Sequence, residues 1–128
     1  MNRSGIWLVL GATGGLLTVA LGAFAAHGLR DLIDPDLLRV FNKGVDYQGL
    51  HSLALLITGL LLRESDLRLL HWAALAFLLG ILLFSGSLYL LAVSGQRILG
   101  MITPFGGVAF LAGWVLLALG AYRLPHKK

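Results

Sequence analysis

The residues in this chain best suited to chemistry are His27, Tyr47, Gln48, His51, Ser85, Ser87, Tyr89 and Thr103. Tyr47 and His51 are four apart and Gln48 and His51 three apart, so on a helix the three share one face; Ser85 and Tyr89 make a second four-step pair. An imidazole can exchange its proton near neutral pH and can hold metals or anionic headgroups. Set among hydroxyls and an amide, it suits a cup that binds a small polar or amphiphilic molecule, a lipid headgroup included. Arg30, Asp31 and Arg97 would stand at the rim of that cup. The plainer reading is a cluster that ties helices together, with each interhelical hydrogen bond contributing only about 0.6 kcal/mol.

Other chemistries find less support. Two histidines with Asp31 or Asp46 have no diagnostic metal-ligand spacing, so no metal is expected. Ser85 or Ser87 with His51 lacks a nucleophile elbow or oxyanion loop, and no phosphate loop or dinucleotide fingerprint is present. No enzyme activity and no cofactor are implied. Cys is absent, which excludes disulfides, thiolate metal ligands and a cysteine nucleophile. The six acids (Asp31, Asp34, Asp36, Asp46, Glu64 and Asp66) all lie in connections or near helix ends. That disfavours a proton-coupled cation exporter, which needs a carboxylate deep in the membrane.

The elements that must position these residues are membrane helices. Hydrophobic residues make up 58% of the chain and charged residues 12%, and the mean hydropathy is +0.87; a soluble domain is neither so apolar nor so poor in charge. Four runs, 6–26, 45–62, 69–93 and 105–122, are each long enough to cross a hydrocarbon core, which takes about 20 apolar residues as helix. The expected fold is therefore all-α: a single integral-membrane domain over 1–128, built as an antiparallel bundle of four transmembrane helices. A secretory signal is the rival for the first run, since Arg3 precedes it and Ala23-Phe24-Ala25 resembles a cleavage site. The run's length and glycine pattern favour a packing helix.

In the first connection, Asp34 before Pro35 predicts a helix start. Asp36, Arg39, Lys43 and Asp46 recur on one face, which predicts a short interfacial amphipathic helix over about 35–44 that runs into the second crossing and bends at Gly44. A solvated extension of that crossing would give the same pattern. With this topology His27, the 46–52 stretch, Ser85, Ser87, Tyr89, Thr103 and Pro104 all come to one end of the bundle. His51 would lie about 9 Å along the helix from Val45.

Lipid tails are as apolar as leucine, so these helices must associate through small residues and polar pairs. Gly11, Gly15, Thr18, Gly22 and Ala26 form a stripe on the first helix; Gly106, Gly113 and Gly120 form one on the fourth, and Gly80 lies on the third. They predict a compact bundle, or a bundle with one stripe left for a second subunit and hence a homo-oligomer. The net charge of +4 comes from connections and tail, where bilayer orientation and lipid headgroups account for it and nucleic acid is not expected as a partner. Arg3, Arg63, Arg68, Arg123, Lys127 and Lys128 flank one side of the bundle, against Arg30, Arg39, Lys43 and Arg97 on the other. The bias places both termini in the cytoplasm. Trp7, His71, Trp72 and Trp114 read as interfacial anchors and packing, and His126 with the two terminal lysines as a basic tail near anionic lipid.

Four segments carry a family resemblance: Gly22-Ala23-Phe24-Ala25-Ala26-His27-Gly28-Leu29, the 47–55 stretch beginning Tyr47-Gln48-Gly49-Leu50-His51, the 83–91 stretch containing Ser85-Gly86-Ser87-Leu88-Tyr89, and Ile102-Thr103-Pro104-Phe105-Gly106-Gly107 with Gly113-Trp114. In this order they resemble the YgdD-like family, domain of unknown function 423. The resemblance implies a small bacterial inner-membrane protein, related to small eukaryotic transmembrane proteins, with no established biochemical activity. Its motifs fall on His27, Tyr47, Gln48, His51, Ser85, Ser87, Tyr89, Thr103 and Pro104. Two functions stay open: binding or transport of a small polar or amphiphilic molecule at the cup, and a structural or accessory role exercised through helix contacts.

Overall fold

Helix α1 (Arg3–Phe24) starts where the Asn2 side chain accepts a hydrogen bond from the Gly5 N–H at 2.8 Å, which satisfies one of the first-turn donors that have no partner inside the helix. This computed structural model describes residues 2–126, so the two terminal lysines of the orientation argument lie outside the described residues. At its far end α1 runs on through a π turn, Ala25–Leu29. Helix α2 (Pro35–Glu64) follows a short connection and is 30 residues long. Asp34 stands at its N-cap position, but its side chain makes no capping bond. Its carbonyl takes the Leu38 N–H at 2.9 Å, and Pro35 supplies a φ already suited to helix.

The 35–44 segment is thus the first part of α2 rather than a separate short helix. Gly44 interrupts nothing. A Cβ there would lie 2.8 Å from the Tyr89 ring, so the missing side chain gives a neighbour room to approach.

The third apolar span comprises α3 (Arg68–Gly80), a second π turn (Ile81–Ser85) and α4 (Gly86–Ser94). Gly95, at φ 72°, ends it in the left-handed conformation, and its N–H returns to the Leu91 carbonyl at 2.8 Å. A 3₁₀ turn, Arg97–Met101, then leads into α5 (Thr103–Tyr122), which carries Pro104 in its first turn. Four spans, Arg3–Leu29, Pro35–Glu64, Arg68–Ser94 and Arg97–Tyr122, are long and apolar enough to cross a membrane.

Small residues set the close approaches. Positions Leu8, Gly11, Gly14 and Thr18 of α1 meet Gly59, Leu56, Ser52 and Gly49 of α2, so residue numbers climb on one helix as they fall on the other. The same holds between the third span and α5, where Gly120, Gly113, Gly80 and Gly106 receive Leu70, Phe77, Phe110 and the Phe84 backbone. Gly22 faces Val45 at ordinary contact distance. A Cβ at Gly15, expected in the packing stripe, would meet nothing within 4 Å among the described residues; its neighbour Gly14 packs instead, directly under Ser52.

Burial is unequal among the spans. In the most apolar stretch of each, half of α2 is buried, against 11% for the α1 span and 17% for the α5 span. Helix α2 is therefore the central post on which α1 and the third span lean. Two apolar clusters hold it. One joins Ala25, Leu29, Phe41, Val45 and Ala92; the other joins Ala54, Leu55, Ala73, Ala74 and Phe77. Leu16, Val19, Phe105 and Leu111 are largely exposed, as expected of side chains whose solvent is hydrocarbon.

Candidate functional site

His51 is the centre of the interior polar cluster. Helix α2 holds it almost fully buried, one turn after Tyr47, whose carbonyl lies 2.7 Å from Nδ1. A carbonyl can only accept, so Nδ1 carries the proton. On the other side the Trp114 indole N–H donates to Nε2 at 3.0 Å, which requires that nitrogen to be bare. The ring's tautomer is fixed from both sides, and its face stacks on Phe110 with centroids 3.5 Å apart. Phe77 closes the group edge-on to Trp114. Tyr47 itself is 40% exposed and stacks outside this box against His51, Phe84 and Phe110.

A second chain of bonds crosses three helices. The Tyr89 hydroxyl of α4 donates to Gln48 Oε1 at 2.6 Å, and Gln48 Nε2 donates to the Gly14 carbonyl of α1 at 2.9 Å. Ser85 donates to the Gly44 carbonyl at 2.7 Å. The Ser87 hydroxyl lies 2.9 Å from the Phe84 carbonyl and 2.6 Å from Thr103 Oγ1. Since the carbonyl can only accept, Ser87 donates to it and Thr103 donates to Ser87, joining α4 to α5. Among the described residues one buried hydroxyl, Ser52 Oγ, has no partner.

The expected cup thus divides. Gln48, His51, Ser85, Ser87, Tyr89 and Thr103 come together, and Tyr47 flanks them. His27 does not join: it is exposed on the π turn at the end of α1 and takes part in none of these bonds. The rim residues stay apart as well. Arg30 and Asp31 are exposed and 3.9 Å from each other, and Arg97 is exposed on the 3₁₀ turn. Sequence reasoning missed Trp114 and the Gly14 carbonyl as partners of the cluster. Neither leaves a local signal, because Trp114 lies 63 residues from His51.

A second histidine site occupies the opposite end of the bundle. The Trp7 indole of α1 donates to His71 Nδ1 at 3.2 Å, and His71 Nε2 faces Asp66 Oδ1 at 2.5 Å. The bond from His71 holds the Asp66 carboxyl below the usual carboxylate range, and the charge of Arg3 adds to this. Two cavities open beside this group. One, of about 520 Å³, is lined by residues including Arg3, Trp7, Arg68 and Trp72; the other, of about 780 Å³, shares Arg3 and Asp66 with it and adds Arg63. Among the described residues no three His, Asp or Glu side chains group as metal ligands.

The chain is similar over most of its length to proteins named as membrane proteins. The chain is 39% identical to a UPF0382 membrane protein of Staphylococcus saprophyticus over 93% of its own length and 98% of that protein. It is 40% identical to a UPF0382 membrane protein of Staphylococcus haemolyticus over 92% of this chain and 96% of that one. The UPF0382 inner membrane protein YgdD of Escherichia coli K12 is 41% identical over 94% and 92% of the two chains. No solved structure matches. The model of a family described as a protein of unknown function, DUF423, matches residues 21–107, a stretch that holds nearly the whole interior cluster. The chain is a membrane protein and belongs to the DUF423 family.

Proposed function

We propose that this protein is a bacterial inner-membrane accessory protein: an antiparallel bundle of four crossings, termini in the cytoplasm, that acts through helix contacts with a second copy of itself. One observation carries this reading. Apart from Ser52, the interior polar side chains of the cluster bond to groups of the same chain: His51 to Tyr47 and Trp114, Gln48 to Gly14 and Tyr89, Ser85 to Gly44, Ser87 to Thr103. In hydrocarbon such groups must find partners, and here the partners are neighbouring helices rather than an open cup. The outward side of α1 supports a second copy, since its span is 11% buried and Gly15 has open space before it. The arginine bias supports the orientation, and the name of the Escherichia coli relative supports the inner membrane. The polar face of the 35–44 stretch then lies along the opposite interface as the amphipathic start of α2.

Native mass spectrometry of the gently extracted protein tests this. Gly15→Leu is expected to convert a dimer to a folded monomer, whereas Gly14→Leu, which drives a side chain into Ser52, disrupts the fold itself. A wild-type protein that is monomeric and has no reproducible partner would end the accessory reading. The unpartnered hydroxyl of Ser52 supports a second reading, in which the interior cluster holds a small polar or amphiphilic molecule. A bound mass that disappears in His51→Ala would establish that alternative.

A further inference from the structure

We propose that the smaller cavity at the Arg3 end binds the phosphate of an anionic phospholipid, with the acyl chains running down its apolar wall. The cavity, of about 520 Å³, lies between the start of α1 and the start of α3. Its polar mouth holds the guanidinium groups of Arg3 and Arg68, and Arg63 faces the adjoining cavity that shares Arg3. Among the described residues none of these three arginines has a carboxylate within salt-bridge distance. Among the residues that line the two cavities the carboxylate is Asp66, and its Oδ1 is engaged by His71. Two guanidinium groups against one carboxylate leave the lining of this cavity with an excess of positive charge, which favours an anion, and guanidinium forks suit phosphate oxygens.

The rest of the cavity calls for hydrocarbon. Trp7, Trp72 and Leu75 line it, and Trp72 is 54% exposed, in keeping with an indole at the headgroup level. A free phosphate would meet the arginines and leave this wall bare; a phospholipid meets both. The Trp7 to His71 bond pins α1 to α3 and so holds Arg3 and Arg68 on opposite walls. His71 is not a ligand here, because both its ring nitrogens already have partners. The inference is independent of the accessory role, since it uses none of the interior cluster and no surface of α1 beyond its first turns.

The test is native mass spectrometry of the full chain released from nanodiscs of equimolar phosphatidylglycerol and phosphatidylcholine, counting retained lipids. Wild type is expected to retain phosphatidylglycerol in preference. R3Q/R68Q should lose roughly ten- to thirty-fold of that preference, the effect of two basic groups near a lipid surface. Arg123→Gln, which removes an exposed charge just after α5, should retain it. Both cavity arginines are exposed, so the double variant keeps its fold, and matched helicity checks this. Equal retention of the two lipids by wild type, or an equal loss in Arg123→Gln, would overturn the proposal. So would displacement of phosphatidylglycerol by millimolar inorganic phosphate, which would make free phosphate the ligand.

Discussion

Each of two histidines in this protein accepts a hydrogen bond from a tryptophan indole, yet they sit in opposite settings. His51 is buried in the middle of α2 between an indole, a carbonyl and the face of a phenylalanine. His71 sits at the end of the bundle between an indole and the carboxylate of Asp66, whose side chain is 77% exposed. The indole makes Nε2 the bare nitrogen in His51 and Nδ1 the bare nitrogen in His71, so the two rings hold opposite tautomers. The remaining nitrogen meets a neutral acceptor inside and a charged one at the edge. One motif therefore serves as a packing bond where water is absent and as part of an electrostatic surface where it is present.

Removing each histidine should separate the two sites most strongly. His51→Ala leaves a void beside Phe110 and an unpaired indole N–H, and should cost about 3 kcal/mol of stability. His71→Ala also frees an indole N–H, that of Trp7, but beside an open cavity where water can replace the lost acceptor, and should cost less, about 1 kcal/mol. Reversible unfolding in mixed micelles measures both, and equal losses would break the distinction. A smaller step is Tyr89→Phe, which removes only the donor to Gln48. About 0.6 kcal/mol is expected, the usual value for such a bond between membrane helices. A double-mutant cycle with Gln48→Ala isolates that coupling.

Acid provides the gentlest probe. The Asp66 carboxyl is held below its ordinary value of 3.8 by His71 and then by Arg3. Its contribution to stability is therefore complete above pH 3.8 and lost as the pH falls through the lowered value. Wild type should approach Asp66→Asn in melting temperature over that acid range and differ from it at higher pH. A constant difference between the two down to the lowest pH would show that the carboxylate charge contributes nothing.

Much of this was legible in the sequence, for identifiable reasons. Run length alone located the four spans, because crossing hydrocarbon requires it. Helical spacing brought Gln48, His51, Ser85 and Tyr89 together, because facing helices force polar residues at one depth to meet. Gly14 could not be told from Gly15, since both are glycine and only the partner helix decides which one packs. His27 lies at the end of the first span, as the topology placed it, but within the Ala25–Leu29 π turn and exposed, outside the bonded cluster; no helical spacing tied it to the others. The indole partners of both histidines were read as anchors and packing, without a polar partner. Their sequence separations, 63 and 64 residues, put the pairing in the tertiary structure alone.

The π turn at Ile81–Ser85 has a further consequence, for how chain length can change. Such a turn accommodates one residue more than an α-helix of the same rise, so deleting a residue there would let the third span close up as regular helix. Because the wider turn has already absorbed that residue, α4 would keep its place along the axis and its facing, with Ser87 still beside Thr103 and Tyr89 still beside Gln48. The same deletion in the regular helix of α3 meets no such slack and would turn everything beyond it by about 100° about the axis. At the π turn a one-residue change in chain length is taken up locally, and the angular setting of α4 is insulated from it.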